Sequence, residues 1–273
     1  MTVVRRPAFL ETPRGRLFML ELAVPDRQSP PRGTAVIVPA FAEEMNRSRR
    51  TCVLLAERLA QSGYRALLFD LSGTGDSDGA FEDARLAHWR DDVAQVADHA
   101  RADGTEGIIW VGLRFGALLA AEAAMAADTR ALVLWQPAIE GATVISQFRR
   151  LATAAKLVSK RDQAPNTAVQ PVQEIAGYAL AQTLATDLAE LRLASTLESC
   201  VWPLAWFEMT SRADQTLSPA ATRVLKTLPA SPGARIHAQA IEGPAFWSTT
   251  EISVSDALVQ ATTDFVTEAD GVA

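Results

Sequence analysis

IIWVGLRFGALLAAEAA (108–124) decides how the rest of this chain is read. It opens with an apolar run of strand length, passes through Gly112 and Gly116 in a Gly-x-x-x-Gly turn, and continues in small apolar residues that suit a packed helix. A buried strand running through a tight turn into a helix places the residue between the glycines at the carboxyl edge of a sheet, where parallel sheets build their sites. That residue is Arg114, where a nucleophile would need a hydroxyl, thiol or carboxylate.

Outward from this stretch, strand-like runs alternate with helical patterns from residue 34 onward, the signature of a mostly parallel sheet covered by helices. Strands are expected at 34–38, 64–70, 107–111, 131–135, 201–210 and 234–241. An antiparallel hairpin about TPRG (12–15) is expected at the sheet edge, giving about eight strands. Helical patterns fall at 48–63, ending in Gly63, at 86–104, and at 218–228, where Ser218 is placed to cap and Pro219 to take the first helical position. RSRR (47–50) reads as the solvated start of a helix. From 138 to 198 the alternation stops: two long helical patterns, 142–160 and 172–194, flank a polar, Pro-containing loop. The expectation is one domain over 1–273, with 138–198 a helical lid over the carboxyl ends of the strands.

Composition narrows the function. With 26 Lys and Arg against 32 Asp and Glu, net charge −6, the chain lacks the basic clustering that phosphate backbones require, so nucleic acid is not an expected partner. Neither an apolar leader nor a membrane-spanning run is evident, and the cytoplasm is the expected location. Cys52 and Cys200 lie in separate apolar segments without neighbouring histidines and read as buried free thiols. Asp76 and Asp78 form a carboxylate pair without a third ligand, so no metal is expected. DLSGTGDSDG (70–79) lacks phosphate-loop spacing and a following Lys, so no cofactor is expected; Gly73 and Gly75 read as turn glycines, with Asp70, Asp76 and Ser77 fixing the turn.

Three landmarks follow three strands in order: PAFAEEMN (39–46), DLSGTGDSDG (70–79) and GLRFG (112–116). In the α/β-hydrolase architecture these positions hold the oxyanion-hole loop, a Gly-rich turn and the nucleophile elbow G-x-S-x-G. More specifically, PAFAEEMNRSRR, FDLSGTGDSDGAFEDA, GLRFGALLAAEAA, LWQPAIEG and IAGYAL together resemble the exosortase A system-associated hydrolases of the second type. The resemblance covers most of the chain and implies an α/β-hydrolase fold, with an eight-stranded, mostly parallel sheet. It also implies a link to exosortase-dependent protein sorting and exopolysaccharide production. Ala40, after Pro39, departs from that family's His-Pro-Phe start.

Acyl transfer on this fold needs an elbow nucleophile, an acid after a late strand and a histidine after the last strand. Asp214 stands at the acid position. Arg114 cannot act as a nucleophile, because an arginine side chain stays protonated. Phe246 and Trp247 occupy the expected histidine loop, and the three histidines, His88, His99 and His237, lie elsewhere. Serine-triad hydrolysis is therefore not expected; the chain reads as a pseudoenzyme.

Three readings of the remaining groups stay open. Arg114 pairs with Glu43 or Glu44, or next Asp214, and locks a dead site, in which case a carboxylate side chain stands beside it. Alternatively, Arg114 and the amides of Phe115 and Gly116 hold a small anionic, acyl or sugar ligand, with Phe41, Ala42, Phe246 and Trp247 walling the pocket. In the third reading the chain is an active hydrolase or acyltransferase on an ester, Glu43 or Glu44 serving as base and Arg114 stabilising the oxyanion. A protein partner or a homodimer is also compatible with the sequence.

Overall fold

The computed structural model describes residues 2–25, 30–102, 104, 107–159, 172–211, 216–229 and 235–270. Asp214 lies outside the described residues.

Strands β1 (Val4–Thr12) and β2 (Gly15–Ala23) form the expected hairpin, with Thr12 opposite Gly15. The sheet continues through β3 (Thr34–Val38), β4 (Arg65–Phe69), β5 (Ile108–Leu113), β6 (Thr129–Trp135), β9 (Leu204–Thr210) and β10 (Ile236–Glu242), in the spatial order β1-β2-β4-β3-β5-β6-β9-β10. Only β1 and β2 run antiparallel to their neighbours. Every residue of β3, β4 and β5 is buried, which is why these strands read as continuous apolar runs: helices cover both faces of the parallel sheet. On one face Val36, Leu67 and Trp110 pack with α2 (Leu86–Arg101) and α3 (Gly116–Ala126). On the other, Ile37, Leu68 and Val111 pack with α1 (Glu43–Gln61) and α8 (Asp256–Asp270), a helix the sequence reading had not placed.

Two expectations are corrected. Helix α1 begins at Glu43, with RSRR inside it, because Glu43 and Glu44 favour the positive end of the helix dipole. RSRR is only partly a solvated face: Arg50 is exposed, but Arg47 binds Glu43 and the 248–249 backbone, and Arg49 binds Asp70. The second correction concerns 138–198. Helix α4 (Gly141–Ser159) is as expected, but the second pattern opens with a β-hairpin, β7 (Val172–Ile175) and β8 (Tyr178–Ala181), before α5 (Gln182–Ala189) and α6 (Leu193–Leu197). The cause is local. Ala176 and Gly177 both adopt positive φ, 52° and 85°, the two-residue turn that joins antiparallel strands, and β-branched or aromatic residues flank it.

Helix α7 (Pro219–Thr227) follows its sequence signals: the Ser218 hydroxyl accepts from the Ala221 amide at 3.1 Å, with Pro219 at the first position. Cys52 and Cys200 are free and buried, and burial pushes the Cys52 thiol up to about 12. Among the described residues, no helix is long and apolar enough to cross a membrane, and no His, Cys, Asp or Glu cluster could hold a metal ion.

Candidate functional site

The three sequence landmarks emerge from the carboxyl ends of β3, β4 and β5, on one edge of the parallel sheet. Close packing forces the elbow. A Cβ on Gly116 would lie 2.4 Å from the Pro39 carbonyl oxygen, and one on Gly112 would lie 2.5 Å from the Ala117 Cα. Helix α3 can therefore approach the end of β3 only with glycine at these positions. Between them Arg114 is held at φ 56°, a strained conformation for a long side chain. Its amide donates to the Trp135 carbonyl at 2.9 Å, and its carbonyl accepts from Ala138 at 3.0 Å and Ala117 at 3.2 Å. The elbow geometry is thus intact around a residue that cannot be a nucleophile. Facing it, Ala42 also adopts positive φ, 50°, in the loop that leads into α1.

Glu44, in the first turn of α1, is the carboxylate beside Arg114. The Arg114 Nε lies 3.2 and 3.4 Å from the two Glu44 oxygens, and a terminal guanidinium nitrogen lies 3.2 Å from Oε1. The same terminal nitrogen donates to Gln147 Oε1 on α4 at 2.9 Å. The guanidinium carbon sits 5.4 Å from the Trp247 ring centroid, a cation–π arrangement. Arg114 is 15% exposed and Glu44 28%. Burial raises the Glu44 carboxyl above its usual range, and the attraction and hydrogen bond of Arg114 pull it only partly back. Glu43, by contrast, turns to Arg47 at 3.2 Å and to Asn46, and it does not reach Arg114.

The aromatic candidates divide. Trp247 lines a cavity of about 200 Å³ with Phe41, Glu43, Glu44, Val144, Gln147, Phe148 and Leu151. Phe246, its neighbour, points away: it is fully buried, edge-on to Trp135, and supports Trp247 from below. The Phe115 ring is also fully buried, in a cluster with Phe41 and Trp89, so only its backbone faces the site. Arg114 itself lines a second, polar cleft of about 660 Å³, together with Gln136, Thr143, Gln147, Glu208, Ser218 and Arg223 among others. None of the histidines lines either cavity. His99 contacts Arg65 at 2.8 Å, and His237 packs on β10 against Phe207 and Phe265.

Sequence reading missed Gln147, Gln136 and Glu208. Gln147 interrupts the apolar stripe Val144, Phe148, Leu151 of α4, and that interruption was its signal. Glu208 stands within an apolar strand and is 6% exposed; its two oxygens accept from the Ser218 amide at 2.6 Å and hydroxyl at 2.9 Å. It fixes the start of α7. Gln136, at φ 42°, accepts from the Met209 amide at 2.7 Å and ties β6 to β9.

Palmitoyl-protein thioesterase ABHD10, mitochondrial, of Homo sapiens is 32% identical to this chain over 122 residues, 44% of this chain and 38% of that protein. The Bos taurus protein of the same name is 32% identical over 124 residues, again 44% and 38%. The match thus spans well under half the length of these curated relatives. Among solved structures, Est1E from Butyrivibrio proteoclasticus with bound ferulic acid superposes with a TM-score of 0.68 at 17% identity, covering 96% of this chain and 98% of that one. Mouse alpha/beta hydrolase domain-containing protein 10 does so at 0.58 and 15%, covering 98% and 100%. These structures share the α/β-hydrolase fold. Residues 29–192, more than half the chain, match the hydrolase family described as serine aminopeptidase, S33, and the chain belongs to that family.

Proposed function

We propose that this protein is an α/β-hydrolase-fold binding protein, a single domain with 138–198 as its lid, that holds an anionic or acyl-bearing ligand at Arg114 and does not run serine-triad hydrolysis. The observation that carries this reading is the state of the Arg114 counter-charge. Glu44 closes the site, but its contacts are at the long end of the hydrogen-bond range, and burial works against its charge. A ligand carboxylate or phosphate would meet the planar fork of Arg114 at a helix N-terminus and exchange with Glu44. The thioesterase relatives favour an acyl-bearing ligand, and the exosortase resemblance favours one from protein sorting or exopolysaccharide metabolism.

Two measurements test this reading. A fluorophosphonate probe leaves the protein unlabelled; stoichiometric labelling of any serine overturns the absence of a nucleophile. Acetate and formate raise the thermal midpoint of the wild type but not of a folded Arg114→Gln variant. Equal shifts in both would leave Arg114 as a structural lock.

A second reading rests on the raised Glu44 carboxyl. A base tuned upward by burial can take a proton from water as that water attacks an ester carbonyl; Arg114 holds the oxyanion, and as it collapses and the ester C–O bond breaks, Glu44 returns the proton to the departing alcohol oxygen. It requires that wild type cleave a short-chain acyl ester and that Glu44→Gln lose the activity while Glu43→Gln keeps it.

A further inference from the structure

Arg114 is charged and itself lines the polar cleft, whereas the smaller cavity beside it is mostly apolar, and its neighbours Glu44 and Trp247 join the two. Glu44 and Trp247 each touch the Arg114 side chain and each line the cavity of about 200 Å³. Phe41, Val144, Phe148 and Leu151 supply the rest of its apolar surface. Phe148 stands edge-on to Phe41 with centroids 5.0 Å apart, so the inner wall is fixed by packing, whereas Leu151 remains 48% exposed at the mouth. A carboxylate that takes the place of Glu44 on Arg114 therefore carries its substituent into the cavity that Glu44 lines.

We infer that the ligand is a short amphiphilic carboxylate, its head on Arg114 in exchange with Glu44 and its apolar tail against Trp247, Phe148, Val144 and Leu151. The inference rests on the anion-holding reading above and deepens it. The head is a monoanion because Arg114 gives up one carboxylate partner while Arg47, the other guanidinium lining this cavity, stays paired with Glu43, so a doubly charged head would leave a charge unmatched in a half-buried site. The tail is short because the cavity is smaller than the roughly 300 Å³ at which drug-sized pockets begin. Tail and head contribute separately: apolar area removed from water adds affinity whatever the charge, and the guanidinium selects the charged end.

Isothermal titration of the full chain with acetate, octanoate and octanol separates these terms. Octanoate binds at least about tenfold more tightly than acetate, and octanol binds at least about tenfold more weakly than octanoate. Val144→Ser with Leu151→Ser weakens octanoate about tenfold or more and leaves acetate unchanged. Arg114→Gln abolishes binding of both carboxylates, while Glu44→Gln tightens octanoate several-fold. The Glu44 variant keeps the test standing even if Arg114→Gln fails to fold. Equal affinity for acetate and octanoate, with both lost in Arg114→Gln, overturns the tail site and spares the anion site. Octanol binding as tightly as octanoate overturns the role of the head. If no carboxylate binds in an Arg114-dependent way and Glu44→Gln changes nothing, the anion-holding reading itself falls.

Discussion

Two arginine–carboxylate pairs stand at the carboxyl ends of neighbouring strands, and they are built differently. After β4, Asp70 is 1% exposed: one oxygen accepts from Arg49 at 2.5 Å, the other from the Asp76 amide at 3.1 Å, and its carbonyl accepts from the Ser77 hydroxyl at 2.6 Å. Around β3 and β5, Glu44 is 28% exposed and meets only the side of Arg114, at 3.2 to 3.4 Å. A buried carboxylate whose two oxygens each accept a bond, one from Arg49 and one from the Asp76 amide, is part of the backbone's own turn. One with a single, longer partner in a half-buried setting is replaceable, because little is lost when another anion takes over that partner. The fold thus uses one pair to fix the Gly-rich turn and leaves the other open to exchange.

The largest expected effect breaks the first pair. Asp70→Ala strands the Asp76 amide and frees Arg49 from its buried partner, and it destabilises the protein by about 3 kcal/mol in urea unfolding. Glu44→Gln changes stability by less than about 1 kcal/mol in the same assay. Comparable losses in the two variants would erase the distinction. Next in size is Gly116→Ala, which pushes a methyl group against the Pro39 carbonyl and destabilises by about 1–3 kcal/mol. It also displaces Arg114, so anion binding weakens alongside, and a folded, fully binding Gly116→Ala variant would show that the elbow does not position the cation. Ser218→Ala is smaller again, at about 1 kcal/mol, and removes the cap of α7 together with one bond to Glu208.

The same contrast explains what the sequence made legible. The Gly-rich turn was readable because Asp70, Asp76 and Ser77 meet within eight residues of chain, and short-range hydrogen bonds follow from residue type and spacing. The sheet was readable because β3 to β5 are buried on both faces and, like the inner part of β6, apolar beyond their first residues. The arginine at the elbow was readable from two glycines and a strand. Its partner was narrowed to Glu43 or Glu44, with Asp214 next, and no further, because which of two adjacent residues faces inward depends on where α1 starts. Gln147 was not read, since its contact with Arg114 joins residues 33 apart through the pose of α4. Phe246 and Trp247, neighbours in sequence and in edge-to-face contact, divide for a similar reason: Phe246 packs on Trp135 in the core, and Trp247 stands beside Arg114. The hairpin at 172–181 was read as helix because Ile175 and Tyr178, three apart, have helical spacing, and only the backbone of Ala176 and Gly177 decides between helix and strand pair.

The smallest expected effect concerns pH, and it separates the two pairs without breaking either. Burial holds the Glu44 carboxyl above its reference value of 4.5, so the folded protein binds this proton more tightly than the unfolded chain does. The stability that follows is fully present below 4.5 and is lost as pH rises through the folded value, the opposite sign to a carboxylate held low by its partner. Wild type minus Glu44→Gln stability therefore declines with rising pH across that window, by less than about 1 kcal/mol, and is flat above it. Affinity for an external carboxylate follows the same titration: protonating Glu44 removes the internal competitor for Arg114 while a ligand of lower pKa keeps its charge. Octanoate has an ordinary carboxyl pKa and would protonate in the same range, so methanesulfonate is the better probe. Its affinity rises as pH falls toward 4.5 in the wild type and stays level in Glu44→Gln. A pH-independent wild-type affinity, or an equal rise in the variant, would show that Glu44 does not compete with ligands for Arg114.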